Sequence, residues 1–152
     1  MQRFVLHGSG ELEDTGDLLY SGGAGKSAGP SNLVCARGGS SGVVVRGGGL
    51  EIRSFTVRGL AEQDSASLAG PGISGLLDTA GGRAFVREPG GVDVFSYSAA
   101  TGSIGELTRL ETAPVVAAAE PGLETLALDV TGSKLYVPEP GAVGGYDARA
   151  GA

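Results

Sequence analysis

The side chains of this chain that could do chemistry by type and spacing are few, and the most suggestive are Arg87 and Glu88. A guanidinium can hold an anion through paired N–H groups, and a carboxylate beside it can act as a general base on a water. Glu139 stands where Glu88 stands, one repeat further on, and each of the two glutamates is followed by Pro-Gly. The same signature also reads as a plain turn, since proline and glycine set the φ angles a turn needs. Arg46 aligns with Arg87 at an offset of 41 residues, while Lys26 and Glu120 fall in connections between repeat units.

Other constellations carry less. Ser21-Gly-Gly-Ala-Gly-Lys-Ser27 suggests a phosphate loop, but Tyr20 occupies the place of the first glycine of G-x-x-x-x-G-K-S. Gly29-Pro30 would also end, within a turn, the helix that such a loop must open. A flexible connection is the better reading, so no cofactor is expected. His7 is the single histidine, and it reads as an exposed strand-end residue rather than a base or a ligand. Glu11, Glu13, Asp14 and Asp17 lack the glycine and final glutamate of a calcium loop and read as a solvated loop face, so no metal is expected either. Cys35 cannot form an internal disulfide and sits in the apolar run Leu33-Val34-Cys35-Ala36, where it reads as a small buried hydrophobe.

The elements that must position these residues are given by a repeat. Asp78, Gly81, Val86, Glu88, Pro89, Gly90 and Val92 recur 51 residues later as Asp129, Gly132, Val137, Glu139, Pro140, Gly141 and Val143. Arg83/Lys134, Phe85/Tyr136 and Phe95/Tyr146 are similar pairs within it. A weaker copy upstream brings Val43-Val-Val-Arg46 onto Ala84-Phe-Val-Arg87 at the offset of 41. Short strands, glycine turns and a period of about 40 to 50 residues are the signature of propeller blades. The predicted fold is therefore all-β, a partial β-propeller of antiparallel four-stranded blades in a single domain over residues 1–152. Residues 1–29 are read as the end of one blade, 30–70 and 71–120 as blades, and 121–152 as an incomplete blade. About thirteen strands are expected, among them 3–7, 17–20, 73–77, 83–86, 92–98, 107–111, 123–128, 134–137 and 143–146. Asp78 and Asp129 open hairpins and are read as turn-formers whose carboxylates accept backbone N–H groups.

Composition fits that architecture. The chain has 29 glycines in 152 residues, without a three-residue period, against the roughly 7% of average proteins. A net charge of −6 argues against nucleic acid, whose phosphates need a cationic surface. No apolar run approaches a membrane span and the N-terminus lacks a signal-peptide core, so a soluble, cytoplasmic chain with no membrane partner is expected. An arc of about three blades leaves apolar faces bare at both ends, which predicts self-association or a partner.

The units Leu76-Leu-Asp-Thr-Ala-Gly-Gly-Arg-Ala-Phe-Val86 and Leu126-Ala-Leu-Asp-Val-Thr-Gly-Ser-Lys-Leu-Tyr-Val137 resemble blades of the lactonase-type seven-bladed β-propellers and of the related Tyr-Val-Thr-Asn surface repeats. Val92-Asp-Val-Phe-Ser-Tyr-Ser-Ala-Ala-Thr-Gly102 is similar to their third strand and exit turn. The resemblance is good over residues 70 to 151 and faint over 30 to 60. It implies a 6-phosphogluconolactonase-like hydrolase acting on a small anionic sugar lactone. On that implication Arg87 and Glu88 would be the catalytic pair, with Arg46, Glu139 and Lys26 as substrate-binding positions. Glu88 and Glu139 depart from the family in standing where its Asn usually sits. The other reading is a non-catalytic binding or assembly module, or an inactive fragment.

Overall fold

A computed structural model describes residues 2–18, 31–35, 41–46, 49–57, 61–112 and 125–149. They form thirteen strands in four antiparallel sheets. The first sheet pairs β1 (Gln2–Leu6) with β2 (Leu12–Leu18). The second runs β3 (Ser31–Cys35), β4 (Ser41–Arg46), β5 (Glu51–Thr56) and β6 (Glu62–Ser67) in sequence order. The third repeats that meander with β7 (Ser74–Asp78), β8 (Arg83–Glu88), β9 (Gly91–Tyr97) and β10 (Ile104–Glu111). The last holds β11 (Ala127–Leu128), β12 (Lys134–Glu139) and β13 (Ala142–Asp147). Four-stranded meanders laid face to face are the layout of propeller blades.

Turn chemistry explains where the strands end. Pro89-Gly90 closes the hairpin between Glu88 and Gly91, and Pro140-Gly141 closes the one between Glu139 and Ala142. Gly141 has φ of +72°, which a proline-initiated tight turn accommodates only with glycine or asparagine. At the other end of the strands, Asp78 Oδ1 accepts the Gly81 N–H at 2.8 Å. Asp129 Oδ1 accepts the N–H groups of Ser133 at 2.7 Å and Lys134 at 3.0 Å. Both aspartates are thus turn-formers, as their spacing predicted. The Lys134 N–H, first among several donors, holds the Asp129 carboxyl well below the usual range.

Strand alternation builds two cores. Ala84, Val86, Phe95 and Tyr97 of the third sheet pack on Val43, Val45 and Ile52 of the second, with Leu68. Phe85, Val92 and Val94, on the opposite face, pack on Leu135 and Val137 of the last sheet, with Leu126 and Ala148. β8 is consequently buried along its whole length. Each fully buried Phe, Ile or Leu in these layers is worth roughly 2 kcal/mol of transfer free energy. Polar ties also join the second and third sheets. Ser41 Oγ donates to the Ala99 carbonyl and lies 2.6 Å from the Tyr97 hydroxyl, and Ile104 N–H donates to Asp64 Oδ2 at 2.9 Å.

Two expectations are corrected. The acidic stretch is no loop, because Glu13, Asp14 and Asp17 lie on β2, which starts at Leu12 rather than Asp17. The third copy is also out of phase. The residues of β4 packed on the following sheet are Val43 and Val45, whereas Phe85 and Arg87 hold that place in β8. Equivalent positions must then differ by an even number, and an odd offset of 41 exchanges the faces of the strand. Among the described residues no helix is long and apolar enough to cross a membrane.

Candidate functional site

Arg87 and Glu88 are neighbours on β8, so the pleat sends them to opposite faces of the third sheet. Both are fully buried. The structure therefore does not bring them together on one surface.

Arg87 points at the last sheet. Its Nη1 donates to Thr112 Oγ1 and, at 3.4 Å, to the Gly91 carbonyl; its Nη2 reaches the Pro138 carbonyl at 3.4 Å. Nε has no partner. Burial pulls the guanidinium below its ordinary pKa, and the charge of Glu139 works against that pull. Glu139 accepts the hydroxyl proton of Tyr146, and this bond pushes the phenol up. Glu139 thus faces Arg87 across the sheet interface, which Glu88 does not.

Glu88 points toward the second sheet, into a cluster of its own. Arg109 Nη1 on β10 donates both to Glu88 Oε2 and to Asp93 Oδ1, the latter at 2.7 Å. Arg109 Nε also donates to the exposed Glu111 at 3.1 Å. Asp93 Oδ2 accepts the Ala69 N–H at 2.8 Å, and the Gly70 N–H bonds Glu88. A Cβ added to Gly70 would stand 3.1 Å from Glu88 Oε2, so the connection runs flush against the carboxyl. Glu88 Oε1 has no partner. Burial raises the Glu88 pKa, Asp93 raises it further, and Arg109 and the Gly70 amide oppose them. Arg109 is itself raised, chiefly by its bond to Glu88. Burial beside a second carboxyl that shares its guanidinium favours the protonated form of Glu88. Asp93 and Arg109 were not singled out from sequence, because a strand reading Val-Asp-Val-Phe-Ser-Tyr looks half solvated; here its polar face is covered too.

The remaining predicted positions are scattered. Arg46 ends β4, opposite Ser31 in register, and is not the equivalent of Arg87 for the parity reason above. Lys26 and Glu120 lie outside the described residues, as does the Ser21–Ser27 loop. His7 is exposed, with Nε2 2.8 Å from Glu13 Oε2. Among the described residues no group of three or more His, Cys, Asp or Glu side chains is placed to hold a metal ion.

A further polar assembly lies at the opposite end of the strands. Arg83 donates to Asp78 Oδ2 at 2.7 Å, to the Gly132 carbonyl at 2.8 Å and to the Ala148 carbonyl, and it lies over the Phe85 ring. It bridges the third and last sheets. Beside it opens a cleft of about 840 Å³ lined by Leu107, Asp129, Val130 and Arg149 among others.

No protein-family model matches the chain, and no curated protein matches it. Solved structures do. A functionally unknown protein from Desulfotomaculum acetoxidans superposes with a TM-score of 0.72 at 21% identity, over 90% of this chain and 43% of that one. A "putative 6-phosphogluconolactonase" from Bacteroides uniformis gives 0.71 at 14% identity, over 96% of this chain and 43% of its own. Another protein so described, from Bacteroides fragilis, gives 0.62 at 13% identity, over 76% and 33%. This chain thus spans less than half the length of these structures and shares their fold.

Proposed function

We propose that the chain is an arc of a lactonase-like β-propeller that works by itself as a binding and assembly module, not as the hydrolase. The observation that carries this reading is the placement of Arg87 and Glu88. A hydrolase of an anionic sugar lactone needs its anion-binding cation and its base on one accessible surface. Here the two point to opposite faces, fully buried, Arg87 bonded across to the last sheet and Glu88 to Arg109 of its own sheet. The lactonase kinship rests on the shared fold with the two proteins described as 6-phosphogluconolactonases, and a fold hosts many functions. Any hydrolysis of a 6-phosphogluconolactone-like ester would belong to a completed ring.

The test is an assay of acid release from 6-phosphogluconolactone and a panel of aldonolactones at micromolar protein. The expected rate is that of buffer alone. A rate above buffer that falls in an Arg87→Gln variant would overturn the assembly reading in favour of a lactonase with Arg87 in its site.

A further inference from the structure

The cleft beside Arg83 lies at the opposite end of the strands from Glu88, and the function proposed above gives it no role. Its walls are the β7–β8 hairpin over residues 78–83 and the β11–β12 hairpin over residues 128–132, with Leu107 and Arg149 beside them. At about 840 Å³ it has the size of a small-molecule site, which runs to roughly 300–1,000 Å³.

The apolar part of the cleft has a local cause on each side. β9 and β10 slip register between Glu106 and Thr108, which leaves Leu107 out of the ladder and 39% exposed. Val130 stands in the turn that ends at Gly132, where polar residues are the rule, and it is fully exposed. Leu128, on the same hairpin, is half-buried. Two large apolar side chains are thus left in water at one opening, a surface that a ligand can cover.

The polar groups narrow the ligand further. Asp78 gives Oδ1 to the Gly81 N–H and Oδ2 to Arg83. Asp129 gives Oδ1 to the Ser133 and Lys134 amides and Oδ2 to the hydroxyls of Thr131 and Ser133. Arg83 is committed to Asp78 and to two carbonyls. Arg149 differs. Its Nη2 donates to the Thr131 carbonyl at 3.2 Å, which ties the guanidinium to the hairpin wall, but its Nε and Nη1 have no acceptor among the described residues. Asp147 Oδ1 accepts the backbone N–H of Arg149 rather than its guanidinium. The acceptors of both wall carboxylates are therefore occupied, and the spare polar capacity is that of a cationic donor. Two arginines against two aspartates leave the walls with no net charge, so a multiply charged anion gains little here.

We propose that this cleft binds a small monocarboxylate with an apolar body. The carboxylate pairs with the Arg149 guanidinium through parallel N–H groups, and the hydrocarbon lies against Leu107, Leu128 and Val130. The site shares no residue with the Arg87 and Glu88 positions.

The test is a titration of isotope-labelled protein with phenylpropionate, followed by the amide NMR signals of Gly81 and Gly132. Both should shift saturably, while Gly91 and Gly141, at the other end of the strands, should not. Acetate lacks the apolar body, phenylpropanol lacks the charge, and inorganic phosphate lacks the body and carries more charge; none should saturate the shifts over the same range. Arg149→Gln should weaken binding about tenfold, the worth of a charged hydrogen bond. Val130→Ser should weaken it about fivefold through lost apolar contact. Both residues are exposed, so the variants keep the fold, which an unchanged Gly91 signal checks. Absence of saturation, equal binding of phenylpropanol or phosphate, or an Arg149→Gln variant that binds as wild type does would each overturn the proposal. The lactone assay turns on Arg87, outside the cleft, so either reading can fail while the other stands.

Discussion

Glu88 shows how one side chain can be informative without being accessible. Its carboxyl is sealed, shares one guanidinium with Asp93 and keeps an oxygen without a partner. Folding raises its pKa, so its protonated form is the one the fold favours. The stabilisation is complete at a pH below the ordinary glutamate range and is lost as pH rises through the raised value. Asp129 and Asp64, whose carboxyls are held low by backbone N–H groups, act in the opposite sense. Comparing wild type with Glu88→Gln isolates the first effect. In urea unfolding, the variant should gain stability relative to wild type on going from about pH 5 to about pH 8. An unchanged difference across that window would show that Glu88 is ionised throughout.

At the scale of elements, the tie between the third and last sheets depends on Arg83. Its guanidinium meets a carboxylate on its own sheet and two carbonyls on the next. Arg83→Ala leaves Asp78 nearly buried without its cation, a loss of about 3 kcal/mol by analogy with other broken buried pairs. Arg149→Ala, on an exposed neighbour, should fall within about 0.5 kcal/mol of wild type. The urea midpoints of the two variants check this. Much of this architecture is readable in the sequence. The 51-residue repeat located the hairpins of the last two sheets and put Glu88 and Glu139 on equivalent faces. What it could not give is which residues meet. The Arg87–Glu88 pair was read as a unit because the two are adjacent, and adjacency on a strand is what separates them. The 41-residue alignment failed for a related reason, since matching letters across an odd offset ignores the pleat. Arg109 was invisible as the partner of Glu88 because register across β9 and β10, interrupted by a bulge between Glu106 and Thr108, brings it there.

The second, third and last sheets are stacked so that the third is stabilised from both sides, and stability should vary among them accordingly. The middle layer has a consequence of another kind. β8 is covered on both faces and hydrogen-bonded on both edges, to β7 and to β9. Its amide hydrogens can then reach solvent deuterium only when the sheets on either side come apart. Exchange followed by mass spectrometry should be slowest for β8 and β9 and faster for β13, which lies at a sheet edge. Uniform rates would mean the stack opens as a single unit. On the expected gradient, the slow amides of β8 form an internal clock, and the free energy read from them is that of losing the fold as a whole.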